Sequence, residues 1–221
     1  MNTPVLLFAA GLGTRMGDLT RDRPKALVPV AGRALIDHAL DLTDGIGPLV
    51  VNVHYKADML RAHLEGRDIA ISDETDLLRE TGGGLRHALP LLPGDPVITM
   101  NTDAVWRGPN PVAQLQKHWR QEMEALLLLV PKPQVTGHKG KGDFTVDDAG
   151  RLTRAPEHIY TGVQMIRTGT LAGIDADVFS MNVVWDQMAA RGRLFGVVYD
   201  GQWCDVGQPD SIPLAEAMLH V

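Results

Sequence analysis

The chain has 221 residues, a net charge of −6, 44% hydrophobic and 22% charged residues, and a single cysteine. An acidic balance without basic runs excludes an electrostatic footprint for nucleic acid or an anionic membrane, and no apolar run approaches the roughly 20 residues of a membrane span. One cysteine, Cys204, excludes an internal disulfide and fits a reducing compartment; with no secretion signal at the N-terminus, the expectation is a cytoplasmic protein.

Val5 to Ala10 is a short apolar run of the kind that makes a buried parallel strand. Gly11-Leu12-Gly13-Thr14-Arg15-Met16 follows, where two glycines let the backbone turn sharply and come close to a ligand. Pro24-Lys25 then supplies a second cation. Backbone N–H groups, a guanidinium and an ammonium together make a polyphosphate cradle. The spacing differs from commoner phosphate loops: the third glycine of a dinucleotide fingerprint is replaced by Met16, and no Gly-Lys-Ser/Thr is present. The bland alternative is a glycine-rich turn with Arg15 and Lys25 as solvated charges.

Leu35, Ile36, Ala39 and Leu40 fall on one helical face, Leu49 to Val53 reads as a second strand, Lys56 to Leu64 as a second helix and Ile69 to Ile71 as a third strand. Such alternation predicts a doubly wound, mostly parallel α/β sheet, with ligands at the carboxyl ends of its strands, where the Gly11 turn falls. Glu80-Thr81-Gly82-Gly83-Gly84 is expected ahead of a helix from Leu85 to Leu89. Three glycines there mark either a close approach to the backbone or a flexible connector. Pro96 to Met100 is a buried strand, and Asp103 just beyond it is placed to hold Mg²⁺, although Asx residues are common in any such turn. A helix from Pro111 to Met123 buries Val112, Leu115, Trp119 and Met123, and Leu126 to Val130 is a strand. The polar loop from Pro131 to Lys141 reads as solvated, His138, Lys139 and Lys141 included. Gly142 to Val146, a turn at Asp147 to Gly150, and Arg151 to Thr153 make a hairpin. A helix at Ser180 to Ala190, a strand at Leu194 to Tyr199 and a final helix at Ser211 to Leu219 complete the reading.

Gly11-x-Gly13-Thr14-Arg15-Met16 with Pro24-Lys25 resembles the signature of the sugar-1-phosphate nucleotidyltransferases, and Trp203-x-Asp205-Val206-Gly207 resembles the second signature of that family. The resemblance implies a Rossmann-like three-layer sandwich with a mixed, mostly parallel central sheet. It implies one domain over residues 1–221, with a nucleotide-binding half to about residue 110 and a sugar-binding half beyond it. It also implies site roles. Arg15 and Lys25 are the catalytic cations, and Ala10, Gly11, Gly13, Thr14, Gly82 and Gly83 contact the nucleotide. Glu80, Gly142, Asp143 and Gly162 face the sugar, while Asp103 and Asp205 hold Mg²⁺. Asp143 and Gly162 read equally well as ordinary hairpin and packing residues.

The implied partners are a nucleoside triphosphate and a sugar-1-phosphate. The form Glu80-Thr81-Gly82-Gly83-Gly84 is most like the branch that transfers uridylyl groups to N-acetylmuramate-1-phosphate, a step of cell-wall recycling. Mannose-1-phosphate guanylyltransferases tend to carry Gly-Thr-Ala-Gly there and are the alternative. Arg154-Ala155-Pro156-Glu157 stands where glucose- and thymidylyl-type members have Glu-Lys-Pro, which argues against glucose-1-phosphate. A non-catalytic nucleotide-sugar sensor is the rival from another class; it would be expected to lose a metal aspartate or Lys25. No hexapeptide repeats follow the last helix, so no C-terminal β-helix is expected.

Overall fold

Val5–Phe8 forms β1, the strand around which the sheet is built; its first three residues are fully buried. The computed structural model describes residues 2–220. After the glycine turn, β2 (Pro29–Val30) and β3 (Arg33–Ala34) pair as a short hairpin. The chain then alternates α1 (Leu35–Thr43), β4 (Leu49–Val53), α2 (Ala57–Leu64), β5 (Ile69–Asp73) and α3 (Glu80–Ala88). β6 (Val97–Asn101), β7 (Ala104–Arg107) and α4 (Pro111–His118) lead into β8 (Ala125–Pro131) and the short β9 (Val135–Thr136). The hairpin β10 (Phe144–Val146) and β11 (Leu152–Arg154) precedes the long β12 (His158–Ile166). Last come α5 (Met181–Ala190), β13 (Leu194–Val198), β14 (Gln202–Asp205) and α6 (Ser211–His220).

Nine of these strands make one mixed sheet. β6-β1-β4-β5 are parallel, as the strand–helix alternation predicts, and β13 lies parallel to β8. β12 turns the sheet antiparallel: it pairs with β6, β8 and β10 in that sense, so antiparallel pairings are as many as parallel ones. Successive residues on the strands serve opposite faces. Leu7, Val51 and Leu126 join one core beneath α1, α2 and α4, while Leu6, Val50 and Leu127 join a second core against α3 and α5. The result is a three-layer α/β sandwich. A small second sheet, β7-β14-β9, stands at the carboxyl end of β6 and is covered by α6 through Met16, Val105, Cys204 and Ala215.

Two local expectations are corrected. The helix expected over Pro111–Met123 ends at His118; Trp119 is extended at its C-cap, and Met123 is buried from a turn that enters β8. Gly82, Gly83 and Gly84 lie inside α3 rather than ahead of it. Glycine disfavours a helix by about 1 kcal/mol each, and the reason these are tolerated is packing. A Cβ on Gly82 would stand 2.5 Å from the Phe179 ring, one on Gly83 2.3 Å from the Asp177 carbonyl oxygen, and one on Gly84 2.8 Å from Glu74 Oε1. What approaches the helix backbone is the chain's own 177–179 segment and a buried carboxylate.

Candidate active site

The glycine turn leaves the carboxyl end of β1, between β4 and β6, the place where open parallel sheets bind ligands. Its entry is held by Asn52 on β4. Asn52 Oδ1 accepts from the Ala9 N–H at 2.7 Å and the Ala10 N–H at 3.2 Å, and its Nδ2 donates to Glu74 Oε1 at 2.8 Å. Glu74, fully buried, accepts on its other oxygen from the Arg79 N–H at 3.1 Å. A buried carboxylate needs such partners. This network was not anticipated from the sequence; the signal available was a lone Asn inside the apolar run Leu49–Val53.

Beside it opens a cavity of about 250 Å³, its floor made by Phe8, Ala9 and Ala10 and its rim by Gly11, Lys25, Glu80, Thr81 and Asp103. Lys25 Nζ donates to Asp103 Oδ2 at 2.7 Å, the two residues having been predicted separately. Gly11 has no heavy atom within 4 Å of the place where its Cβ would be, so that side faces open space. Gly13 is left-handed at φ 67°, and its Cβ would press on Thr20 and Lys25; it shapes the turn behind Lys25 rather than lining the cavity. Thr14 is exposed at the start of the 3-10 segment that also carries Arg15. Glu80 on the rim takes φ 59°. That backbone costs a non-glycine residue about 1–2 kcal/mol and is the kind of strain that collects at functional sites.

Asp103 and Asp205, distant in sequence, stand on adjoining strand ends: Asp205 pairs with Ala104, and the Val206 N–H donates to the Asp103 carbonyl at 2.8 Å. Arg15 lines not the first cavity but a second depression of about 220 Å³, with Gly137, His138, Lys139, Gly140, Asp205 and Gly207. Gly207 lets both side chains come close, for a Cβ would stand 3.0 Å from Asp205 Oδ1 and 3.2 Å from Arg15 Nη1. His138, expected as a solvated loop residue, bonds Asp205 Oδ2 through Nδ1 at 2.7 Å. That hydrogen bond raises the imidazole pKa above its ordinary value, against the opposing effect of burial. β9 is what brings it there, by pairing parallel to β14. Cys204 next door is buried, and burial pushes its thiol up to about 12, away from any role as nucleophile.

The remaining predicted residues divide. Gly82 and Gly83 pack on Phe179 and Asp177 and lie off the lining of the first cavity, whereas Glu80 and Thr81 line it. Asp143 Oδ2 accepts from the Tyr160 N–H at 2.9 Å, fixing the start of the β10 hairpin against β12. Gly142, at φ 110°, lets the chain pass over Pro156 and Glu157. Gly162, at φ 85° in the β12 irregularity between Tyr160 and Gln164, makes room for Asn101, whose side chain would meet a Cβ at 2.7 Å. Asn101 lines the first cavity, so Gly162 touches the site through it.

A glycine turn at the head of the parallel strands, a lysine and two carboxylates at adjoining strand ends thus make a polar, concave site where open α/β sheets bind ligands. The family model of the MobA-like NTP transferase domain matches residues 5–142. The N-acetylmuramate alpha-1-phosphate uridylyltransferase of Caulobacter vibrioides is 41% identical over 97% of this chain and 96% of its own length. Its counterpart from Neisseria meningitidis is 31% identical over 96% of both. The mannose-1-phosphate guanylyltransferase catalytic subunit beta of Xenopus tropicalis is 26% identical, and the match spans 92% of this chain but 61% of that protein. HddC from Yersinia pseudotuberculosis, solved with GMP-PN, shares the fold with a TM-score of 0.76 at 17% identity, covering 98% of this chain and 99% of that one. The chain belongs to the MobA-like NTP transferase family, and its relatives are sugar-1-phosphate nucleotidyltransferases.

Proposed function

We propose that the protein transfers a uridylyl group from UTP to N-acetylmuramate-1-phosphate, releasing pyrophosphate, in the cytoplasmic recycling of cell-wall sugar. The observation that carries the reaction class is the Lys25–Asp103 contact at 2.7 Å on the rim of a cavity floored by the Ala9–Gly11 backbone. Likeness to two uridylyltransferases along nearly their whole length supports the substrate pair over mannose-1-phosphate and GTP.

Asp103 and Asp205 fit Mg²⁺ by their chemistry. Both are hard oxygen donors, and among the described residues no group of three His, Cys, Asp or Glu forms a protein cage; Mg²⁺ is ordinarily held by one or two carboxylates with substrate phosphates completing its shell. Asp103 and Asp205 would hold Mg²⁺, which would supply neutralising charge to the phosphates.

The chain's own residues then do the following. Backbone N–H groups of the Gly11 turn and the Arg15 guanidinium hold the departing pyrophosphate. Lys25 leans from Asp103 toward the α-phosphate and the incoming sugar phosphate, so two anions that repel each other can approach in line. An oxygen of the sugar phosphate attacks the α-phosphorus; it is already anionic, and no general base is required. The apolar floor at Phe8, Ala9 and Ala10 excludes water and strengthens these contacts. Pyrophosphate release measured for UTP, GTP, CTP and dTTP against N-acetylmuramate-, N-acetylglucosamine-, mannose- and glucose-1-phosphate tests the reading. Preference for UTP with N-acetylmuramate-1-phosphate is expected, and preference for GTP with mannose-1-phosphate would overturn the substrate assignment.

A further inference from the structure

We propose that His138 is a positioning residue for Asp205: its Nδ1–H holds one carboxylate oxygen, Oδ2, and leaves the other, Oδ1, to Mg²⁺; this rests on the reading of Asp205 as a Mg²⁺ ligand given above.

Both carboxylates of the site are held in the same way. Lys25 Nζ donates to Asp103 Oδ2 and His138 Nδ1 to Asp205 Oδ2, each at 2.7 Å. Among the described residues neither Oδ1 has a hydrogen-bond or ion-pair partner. An ionised carboxylate only accepts, so Nδ1 carries the hydrogen of this contact. Each aspartate is thus fixed by one oxygen, and the oxygen left over is a hard donor of the kind Mg²⁺ takes. Lys25 has a further task at the phosphates. His138 has none, for Asp205 is its one hydrogen-bond partner among the described residues.

The imidazole is built into that contact rather than offered to an ion itself. Its Nε2 lies against the backbone of Gly140, where a Cβ would collide with it, and the ring packs on Trp203 with 6.0 Å between centroids. Nor is the hydrogen bond needed to tie down the loop. β9 is paired to β14, Gly137 at φ 75° lies so close to the Asp205 carbonyl that a Cβ would strike it, and Ser211 Oγ donates to the Gly137 carbonyl at 3.1 Å. The backbone is therefore anchored just before His138, on the strand that bears Asp205, and the side chain serves the carboxylate. Partners that orient a ligating group in this way contribute about 10–100-fold to metal affinity.

The test is Mn²⁺ binding to the nucleotide-free chain, followed by the electron paramagnetic resonance signal of the unbound ion. It compares the native protein with His138→Leu, His138→Asn and Asp205→Asn. Leucine keeps bulk against Trp203 but has no donor, whereas asparagine returns an N–H near the place of Nδ1. His138→Ala serves as a second variant without a donor should His138→Leu not fold. The dissociation constant should rise about 10–100-fold in the variants without a donor and return close to the native value in His138→Asn. In pyrophosphate release, the Mg²⁺ concentration for half-maximal turnover should follow the same order. Equal weakening in His138→Leu and His138→Asn would make His138 a packing residue and overturn the proposal. Native or tighter binding in His138→Leu would show that the hydrogen bond does nothing for the ion or competes with it, and would overturn the proposal too. Native affinity in Asp205→Asn, or no Mn²⁺ binding by the native protein, would instead defeat the underlying reading of Asp205, and the proposal with it.

Discussion

Asn52 and Glu74 meet at 2.8 Å in the interior, amide N–H to carboxylate, and the free oxygen of the same amide holds the Ala9 and Ala10 N–H groups that open the glycine turn. One side chain on β4 thus ties a buried charge to the backbone that faces substrate. Asn52→Ala leaves Glu74 Oε1 and the Ala9 and Ala10 N–H groups without the Asn52 partner, each at a cost of about 1–3 kcal/mol, while the Arg79 N–H still holds the other carboxylate oxygen. The melting temperature should fall and the remaining folded protein should bind UTP more weakly. A variant with native melting and native KM for UTP would show that the network positions nothing.

Glycines in this site fall into two kinds, which substitution separates. Gly83→Ala drives a methyl against the Asp177 carbonyl and should cost about 1–3 kcal/mol, the usual range for overpacking, seen as a lower melting temperature. Gly11→Ala meets open space and should melt like the native protein while losing turnover, since the new methyl stands on the cavity rim. Loss of stability in Gly11→Ala with normal turnover per folded molecule would reverse this division.

The two carboxylates and Lys25 are expected to act through charge. Asp103→Asn, Asp205→Asn and Lys25→Ala should each fold, by circular dichroism, and each lose ~10²–10³ in turnover. Native turnover should vanish in EDTA and return with added Mg²⁺. Near-normal rates in a folded Lys25→Ala protein would remove the cradle from the mechanism.

His138 gives a pH-dependent contribution whose sign is set by its partner. Its native pKa is raised above the ordinary 6.5, chiefly by the Asp205 hydrogen bond, so the folded state binds the proton more tightly than the unfolded chain. The stability supplied by the pair is fully present below about pH 6.5 and is lost as pH rises through the native value. In metal-free buffer the melting gap between native protein and His138→Ala should be widest in acid and close toward alkaline pH. A gap that widens with pH would contradict the pairing.

Cys204, with its thiol held near 12 by burial, should resist iodoacetamide at pH 8 in the folded protein and react only after unfolding. Rapid alkylation with loss of activity would mean that the small sheet opens readily.

Local periodicity makes much of this architecture legible in the sequence. The apolar run of β1, the helical face of α1 at Leu35, Ile36, Ala39 and Leu40, and the strand β4 are decided by residues near one another, and they appear where expected. Asp103, in the turn between β6 and β7, and Asp205, at the end of β14, stand out in the sequence by the motifs around them, and the fold brings those two segments side by side. What escapes is whatever depends on distant partners. Helix propensity argues against Gly82–Gly84 inside α3, and only the 177–179 segment, far along the chain, supplies the reason they are there. Trp119, half-buried, and Met123, buried, keep helical spacing after α4 has ended, because a turn can present the same side chains to the core as a further helical turn would. His138 looks solvated until the two-residue strand β9 pairs with β14. The Asn52–Glu74 contact joins a strand interior to a loop, and neither residue alone announces it.

The most direct measurement follows the phosphorus itself. Native protein is incubated with Mg²⁺, N-acetylmuramate-1-phosphate and UTP labelled at the α-phosphate, and the products are resolved. The account predicts that the label enters a sugar-linked diphosphate together with an equal amount of pyrophosphate. Label recovered in UDP, or release of orthophosphate in place of pyrophosphate, would contradict nucleotidyl transfer at this site.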